Sequence, residues 1–368
     1  MTHFPPFHQD LSKKVHKALD SFFDTKMKEA KDKDDVLVDT VKLLKEFVLR
    51  GGKRVGPMMV VLGYQLAEEV ENNYEKIKDE VLIKAACAVE IHHLYLLNLD
   101  DMADRDVLRH GGKTLEEYYR TELFQNWNDK DHHGRTFSSI AGALLNSYTF
   151  EILRTSGFPP EKIDQAIGII TDMLFADTVT GWQIQYFQNN ESIQVASEER
   201  FLKGLEFVTS RYKFVGPLLI GLSLALNNDN QHFHTLKQAY IEYGKHVGIA
   251  FQLYDDIMGM FGDAKEMGKA VGNDVREGKK TLLLQYAYHH GNTEQQLQIE
   301  SAIGTQLNDK QLEALQHLIK DTGALKYSEQ LAHDHVKQAI EALKKFPKES
   351  KEVKILTELA HYMIERKK

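Results

Sequence analysis

Residues 81–104 read VLIKAACAVEIHHLYLLNLDDMAD, an apolar run with helical spacing that ends in three aspartates. On a helix, Asp100 and Asp104 are one turn apart and share a face, and Asp101 lies beside them. A solvated helix end is the alternative interpretation, since isolated acidic clusters are common there. The apolar run predicts instead a core helix that carries three carboxylates into the protein.

A second stretch, residues 251–259, reads FQLYDDIMG and repeats this arrangement, with Asp255 and Asp256 after another apolar run. Two acidic clusters in similar settings suggest two walls of one cavity. Carboxylates that face each other repel strongly unless a cation lies between them. Oxygen ligands that leave room for water suit Mg²⁺, which in proteins usually carries a phosphate-bearing substrate. The sequence therefore predicts a Mg²⁺ site with a phosphorylated ligand.

The composition indicates a globular, helical chain. Of the 368 residues, 42% are hydrophobic and 27% are charged, which argues against disorder, and only 7 are prolines. Alternating strand patterns are hard to find, and no short-period repeat or long linker is visible. We therefore predict an all-α fold in which residues 1–368 form a single helical domain around a central cavity. The net charge of −8, without a basic stripe, argues against nucleic acid as a partner.

Apolar periodicity places the main helices. Residues 36–50 carry an amphipathic stripe that Gly51-Gly52 ends. The runs at 81–104 and 232–261 are long and mostly apolar, a pattern that predicts buried helices. The remaining expectations are a surface loop at 125–134, helices at 135–157 and 161–188, two helical segments between 199 and 227, and further helices after 279.

The chain shows no sign of export or membrane insertion. Met1 to Asp10 lack the basic and apolar regions of a signal peptide. The longest apolar stretch, residues 217–226, is shorter than the ~20 residues that cross a bilayer. Cys87 is the single cysteine, which excludes a disulfide framework, and it reads as a small core residue. We expect a cytoplasmic protein that does not span a membrane.

Basic residues accompany both acidic clusters. Gly51-Gly52-Lys53-Arg54 follows a predicted helix, where backbone N–H groups and cations can both meet an anion. Taken alone, that tetrapeptide is usually only a helix stop. Lys269 and Lys279 add positive charge after the second cluster. Carboxylates for Mg²⁺ together with several separated cations indicate one diphosphate ligand or two.

With these motifs in order, the chain from about Leu49 to Leu284 resembles the trans-isoprenyl diphosphate synthases of the polyprenyl synthetase family. The first matching region, Ala88 to Thr114, contains Glu90, His93, the DDxxD motif at 100–104, Arg109, Gly111 and Thr114. The second region, Gly248 to Thr281, contains Phe251-Gln252, Asp255-Asp256, Gly262-Asp263, Gly268-Lys269, Gly272, Asp274, Gly278-Lys279 and Thr281.

The resemblance implies a reaction in which isopentenyl diphosphate attacks an allylic cation formed by loss of diphosphate. Mg²⁺ would be held by the aspartates of both clusters: Asp100, Asp101, Asp104, Asp255 and Asp256. Direct contacts to the allylic diphosphate would come from Arg109 and Lys269, while Gln252 and Thr209 would face the cation. The remaining substrate contacts implied are Lys53 and His93 to isopentenyl diphosphate, together with Arg54 and Lys279.

The chain departs from the family pattern at several positions. An arginine of the first basic motif is replaced by Gly56, and the second arginine of a pair is replaced by His110. Val208 stands where the family has a lysine, Gln185 where it has an aspartate, and Gly259 replaces the third aspartate of the second region. Both missing arginines would hold isopentenyl diphosphate. Losing them weakens binding by about two to four powers of ten unless something compensates.

Three explanations remain open from the sequence. Arg54 or His110 substitutes for the missing arginines, in which case activity depends on pH near 6–7 through the imidazole. Otherwise the acceptor differs from isopentenyl diphosphate, or the chain is a weak or regulatory subunit of a heteromeric synthase. A terpene cyclase is disfavoured because residues after Asp256 lack the metal motif of that class.

Product length and assembly are further expectations. Tyr95 lies about 7.5 Å before Asp100 along a helix axis, and in this family an aromatic residue there limits elongation. The resemblance therefore favours a C20 product, with C15 next, although Tyr95 could be an ordinary core residue. Family members pack through long helices, so the resemblance also implies a homodimer.

Overall fold

A computed structural model describes residues 7–71, 77–262 and 271–365, and nearly all of these residues are helical. Within them the only strands are the two-residue pair β1 (Leu108–Arg109) and β2 (Gly112–Lys113). The predicted all-α class is confirmed.

The helices follow one another with short connections. In the first part of the chain they are α1 (Phe7–Lys31), α2 (Asp35–Leu49), α3 (Val55–Glu71), α4 (Asp79–Asp104), α5 (Leu115–Tyr118), α6 (Lys130–Arg154) and α7 (Pro160–Ile169). They continue as α8 (Asp177–Asn190), α9 (Glu198–Leu205), α10 (Gly216–Ala225), α11 (Phe233–Phe261) and α12 (Asn273–Arg276). The last are α13 (Leu282–His290), α14 (Thr293–Ala302), α15 (Asp309–Asp321), α16 (Ala324–Ala342) and α17 (Lys351–Glu365).

Wide π-helical turns extend three of these helices. They occupy Tyr119–Leu123 after α5, Ile170–Ala176 after α7 and Glu206–Val215 after α9. Short 3₁₀ turns cover Ile193–Val195 and Leu343–Lys345. Turns of this kind are rare and often occur at functional sites. The longest of them, between α9 and α10, is therefore a candidate location for site residues.

The contacts divide the chain into two compact units. The first, which we call the N-terminal unit, contains residues 7–167 and 220–227. Its centre is α4, which packs along α6 and also contacts α1 and α3. Asn98 on α4 is fully buried and bonds to Ser138 of α6 through the hydroxyl and the carbonyl. The amide is therefore satisfied inside the core, as a buried polar group must be.

The second, the C-terminal unit, contains residues 168–219 and 228–365. Its longest helix, α11, packs against α16, against the π segment before α10 and against α17. Tyr240 and Tyr243 of α11 are completely buried, and the Tyr243 hydroxyl donates to the Leu356 carbonyl at 2.8 Å. This packing fixes the helix that ends in the second aspartate cluster.

The predicted long helices are confirmed within one or two residues at each end. The apolar stripe at 36–50 corresponds to α2, and the buried runs at 81–104 and 232–261 correspond to α4 and α11. The predicted loop at 125–134 is partly wrong, because α6 begins at Lys130. Polar residues at a helix start are exposed there, which is why they resembled a loop.

Two other expectations concern the whole chain. A single domain over residues 1–368 stays a prediction. Among the described helices, none combines the length and the apolarity needed to cross a membrane.

Candidate active site

The first aspartate cluster lies at the C-terminal end of α4, in the N-terminal unit. Asp101 is 2% exposed, while Asp100 and Asp104 are partly exposed. Arg109 donates from Nε to Asp101 Oδ1 at 2.6 Å, and its Nη2 lies 3.2 Å from Asp106 and 3.5 Å from Asp100. One guanidinium thus holds three carboxylates at the helix end.

A tight hairpin positions Arg109. His110 and Gly111 have φ values of 51° and 77°, and they join β1 to β2 as a two-residue turn. Turns with two positive φ values match the twist of short hairpins. In the register of the hairpin, Arg109 is paired with Gly112. Arg105, in the left-handed conformation at the end of α4, turns the chain, and the hairpin then holds Arg109 beside the carboxylates that precede it.

The environment of Asp101 is chemically unusual. Burial raises the pKa of Asp101 to about 6, the Arg109 charge opposes that rise, and the charges of Asp100 and Asp106 add to it. Within the described residues, no hydrogen-bond partner reaches the buried Oδ2. A buried carboxylate oxygen without a partner is costly, and a cation at that oxygen would remove the cost.

The Gly51-Gly52-Lys53-Arg54 segment connects α2 to α3 in the same unit. Gly51, Gly52 and Arg54 all have positive φ, at 122°, 114° and 47°. The Arg54 side chain points inward, is 3% exposed and forms an ion pair with Glu90 of α4. Its Nη2 also donates to the Val48 carbonyl at 2.8 Å. The structure thus gives Arg54 a role inside the fold, and its substrate-binding role stays a prediction.

His110 lies against the glycine turn. A Cβ atom at Gly52 would be 3.4 Å from Cε1 of His110, so the two segments touch. Loss of hydration lowers the pKa of His110, and the charges of Arg109, Arg54 and Arg50 lower it further. The lowered pKa disfavours the protonated form of this imidazole.

Two predicted substrate residues lie on α4 itself. His93 and Tyr95 are both partly buried, two turns or less before the aspartates. Tyr95 faces α6, where a Cβ at Gly142 would be 3.6 Å from its ring. The His92 and Tyr95 rings lie 5.9 Å apart. Lys53 is exposed on the loop before α3, so no contact among the three is implied.

The C-terminal unit brings three predicted residues into one hydrogen-bonded chain. The Thr209 hydroxyl donates to Gln252 Oε1 at 3.1 Å, and Gln252 Nε2 donates to Asp256 Oδ1 at 3.0 Å. Thr209 is on the π segment, and Gln252 and Asp256 are one turn apart on α11. These two hydrogen bonds fix the orientation of the Gln252 amide and of the Asp256 carboxylate.

A glycine on α11 makes this approach possible. A Cβ atom at Gly248 would lie 2.4 Å from the Cα of Ser210, closer than side-chain atoms ever come. The Ser210 hydroxyl bonds to the Lys245 carbonyl at 2.9 Å. Because Gly248 has no side chain, the π segment lies directly on α11, one turn before Gln252.

The second cluster gains a carboxylate that the sequence analysis matched to the family's second region but gave no role. Asp274 approaches Gly259, where an added Cβ would be 3.0 Å from Asp274 Oδ2. Burial raises the pKa of Asp256 well above its usual range, and the charges of Asp274 and then Asp255 add to this. A carboxylate from α12 therefore lies where the family's third aspartate would begin. The motif match included Asp274, but only the fold shows that it approaches the second cluster.

The cations of the second region are only partly described. Lys279 lies 2.8 Å from Glu277 and 3.6 Å from Asp274, and it lowers the pKa of Asp256. The predicted contact from Lys269 lies outside the described residues. Val208, which stands where the family has a lysine, packs on α8, since a Cβ at Gly181 would meet its Cγ2 at 2.5 Å.

No ready-made metal cage is present in the described ranges, since no group of three or more His, Cys, Asp or Glu side chains is arranged to hold an ion. Mg²⁺ does not need one, because it keeps several waters and is usually bound by one or two carboxylates plus substrate phosphates. A cation would stabilise two carboxylates in particular. Asp101 has a buried oxygen without a hydrogen-bond partner in the described part of the chain, and Asp256 lies near the negative charge of Asp274.

Comparisons with known proteins identify the family. Residues 39–321 match the model of the polyprenyl synthetase family, and the chain belongs to that family. A geranylgeranyl pyrophosphate synthase from Geoglobus acetivorans is 28% identical over 88% of this chain and 89% of its own. A geranylfarnesyl diphosphate synthase from Aeropyrum pernix is 28% identical over 86% of this chain and 91% of its own.

A solved structure shows the same architecture. It is a geranylgeranyl pyrophosphate synthase from Corynebacterium glutamicum, described as complexed with isoprenyl diphosphate and magnesium. It has a TM-score of 0.86, is 27% identical and covers 98% of this chain and 99% of its own. The protein is therefore a prenyltransferase, a trans-prenyl diphosphate synthase with the all-α fold of that family.

Proposed function

We propose that the protein condenses an allylic diphosphate with isopentenyl diphosphate to a short all-trans prenyl diphosphate, with C20 as the main product and C15 next. One observation carries this proposal. Each aspartate cluster ends a buried helix and keeps one carboxylate, Asp101 or Asp256, almost entirely out of water. Carboxylates are kept in that state where a cation and a phosphate complete the site.

Mg²⁺ is the proposed cofactor. The donors available are carboxylate oxygens, which Mg²⁺ prefers, and the Corynebacterium structure contains that ion. The residues that would hold it are Asp100, Asp101, Asp104, Asp255 and Asp256. When bound, Mg²⁺ neutralises charge on the departing diphosphate.

The side chains around each cluster would bind the substrates and stabilise the leaving group. Arg109 already lies among the aspartates, where it would bind phosphate oxygens and stabilise the leaving group. Thr209 fixes the Gln252 amide, so that its oxygen is held toward the hydroxyl and its N–H toward Asp256. Lys53 and His93 would hold isopentenyl diphosphate. Diphosphate leaves the allylic carbon, the double bond of isopentenyl diphosphate attacks the resulting cation, and the departed diphosphate accepts the proton that is then lost.

Product length depends in this proposal on Tyr95. It lies on α4, five residues before Asp100, and its ring packs toward Gly142 of α6. A growing prenyl tail that reached this ring would meet a partly buried aromatic side chain. Tyr95→Ala should therefore give longer products, by one or more C5 units, in mass spectra of the reaction mixture. Unchanged product length would remove Tyr95 from the proposal.

A homodimer is proposed as the assembly. Three large apolar side chains, Leu123, Trp127 and Ile140, are between 47% and 58% exposed in the N-terminal unit. The Trp127 ring lies 4.7 Å from the buried Phe124 ring, so it is part of one aromatic cluster. Exposed apolar groups of this kind mark protein interfaces. Light scattering should give twice 42.2 kDa, and Ile140→Asp should lower that mass.

The decisive test combines the purified protein with Mg²⁺, isopentenyl diphosphate and allylic diphosphates of increasing length. Products are resolved by mass spectrometry. A C15 or C20 diphosphate is the expected result. Failure to elongate every primer, with the allylic diphosphate still bound, would contradict the proposal and indicate another acceptor or a missing subunit. Release of a hydrocarbon from one diphosphate would indicate a cyclase.

A further inference from the structure

The loop before α3 and the β1–β2 hairpin together enclose a cluster of positive charge. His110 touches Gly52, and the guanidinium groups of Arg50, Arg54 and Arg109 lie close enough to act on its imidazole. Two of these arginines form ion pairs with carboxylates inside the fold. Arg54 is buried with Glu90, and Arg109 is held by the aspartates that end α4.

Arg50 differs from both. Its side chain is only 10% exposed, yet in the described part of the chain its one carboxylate partner is Glu46, whose side chain is 58% exposed. The bonds from Nε and Nη2 to Glu46 measure 2.8 and 2.6 Å. Because the Glu46 carboxylate is mostly in water, its attraction to Arg50 is weakened by solvent, and a phosphate could take its place at small cost.

The hairpin holds the Arg50 guanidinium in place. Arg50 Nη1 donates to the Lys113 carbonyl, and a Cβ atom at Gly112 would be only 2.6 Å from Arg50 Cζ. Gly112 therefore makes room for the guanidinium beside the His110 turn. Arginine has five N–H donors, and the bonds described use three of them. Donors on Nη1 and Nη2 remain for a ligand.

The two positions that the family fills with arginine carry no permanent cation here. A Cβ atom at Gly56 would lie 2.7 Å from Val89 Cγ1, so α3 has no room for a side chain there without rearrangement. The other position is His110. A permanent cation must come from a different residue, and Arg50 is next to the same glycine turn.

We propose that Arg50 is a positioning residue for the diphosphate group of isopentenyl diphosphate and replaces the arginines absent at positions 56 and 110. The inference rests on the proposed function. Arg50 would supply charge and a forked pair of donors, which suit phosphate oxygens. Lys53 and the Gly51-Gly52 turn, on the loop before α3, would contact the same diphosphate group.

The test measures binding and turnover separately in the full-length protein. Calorimetry with isopentenyl diphosphate and Mg²⁺, without allylic substrate, gives the affinity, and steady-state kinetics give KM for each substrate. Arg50→Gln should weaken isopentenyl diphosphate binding about 10- to 100-fold, as expected for one charge-assisted bond. Arg50→Lys should lose less than Arg50→Gln, and KM for the allylic diphosphate should stay within about twofold.

Arg120→Gln is the matched control, because Arg120 also makes a bidentate bond to a carboxylate on its own helical turn, Glu117. It should leave both KM values unchanged. Gly112→Ala keeps the charge but displaces the guanidinium, and it should reproduce the binding loss of Arg50→Gln. Melting temperatures of all variants separate this effect from a loosened hairpin.

The outcomes are distinguishable. If the unaltered protein elongates primers but Arg50→Gln binds isopentenyl diphosphate as Arg120→Gln does, Arg50 has no such role and the proposed function stands. If the unaltered protein binds neither isopentenyl diphosphate nor inorganic pyrophosphate, both inferences fall. Glu46→Gln adds an independent readout, since freeing Arg50 should maintain or strengthen binding, whereas a purely structural clamp would only lower the melting temperature.

Discussion

Arg54 is the residue at which the structure adds most to the sequence. Its motif suggests an exposed cation for phosphate, but the guanidinium lies 4% exposed beside Glu90. Burial raises the pKa of Glu90, and the Arg54 charge opposes that rise. Each group is thus tolerated inside the protein because the other is present.

Arg54→Met tests this pair. The change leaves Glu90 buried without its cation, and we expect a loss of about 3–5 kcal/mol in the free energy of unfolding. Arg54→Met combined with Glu90→Leu should recover most of that loss, since no charge remains to be compensated. Urea unfolding measures both. A double variant that regains stability but binds isopentenyl diphosphate poorly would establish the predicted substrate role of Arg54.

Gly56→Arg tests the closed position on α3. Restoring the family's arginine forces a Cβ atom to within 2.7 Å of Val89, which is 2% exposed. We expect the overpacked helix to be destabilised by about 1–3 kcal/mol. Adding Val89→Ala should remove the steric part of that cost. Equal urea midpoints for Gly56→Arg and the unaltered protein would mean that α3 adjusts freely.

At the scale of elements, helix termini and close helix contacts create the site. The C-terminal end of α4 leads directly into the hairpin that returns Arg109, and Gly248 brings the π segment onto α11. The same helix also carries a polar contact that the proposed reaction does not use. His246 of α11 and His335 of α16 lie with their Nδ1 atoms 2.8 Å apart.

This histidine pair should make stability depend on pH. Burial lowers the pKa of His335 to about 4, with contributions from His246 and Lys245 and an opposing one from Asp334. Glu242 lies 3.6 Å from the other ring nitrogen of His246. The unfolded chain, whose histidine pKa is near 6.5, binds more protons between pH 6.5 and 4, so stability falls as the pH falls through that window.

His335→Gln removes this titration. Between pH 7 and pH 5, the unaltered protein should lose of order 2 kcal/mol more unfolding free energy than the variant. Urea midpoints at the two pH values give the difference directly. Parallel losses in both proteins would show that the pair does not titrate as its burial implies.

At the scale of the whole molecule, the proposed reaction depends on Mg²⁺ bound by carboxylates. Chelation with EDTA should therefore abolish elongation, and added Mg²⁺ should restore it. Asp101→Asn and Asp256→Asn should each reduce kcat by at least about 100-fold, the usual cost of losing one charge-stabilising group. Circular dichroism should report unchanged helix content. Full activity in EDTA would contradict the metal-dependent proposal.

The sequence by itself determined the helical class, the positions of the long helices and the aspartates on which the site is built. Local periodicity and ordered motifs carry that information within a few turns of chain. Only the tertiary structure decided that Arg54 is turned inward, that Asp274 lies beside Gly259 and that Arg50 lies over Gly112. Those outcomes depend on contacts between residues 15 to 62 positions apart. Such contacts form only when the chain has folded, and local periodicity carries no information about them.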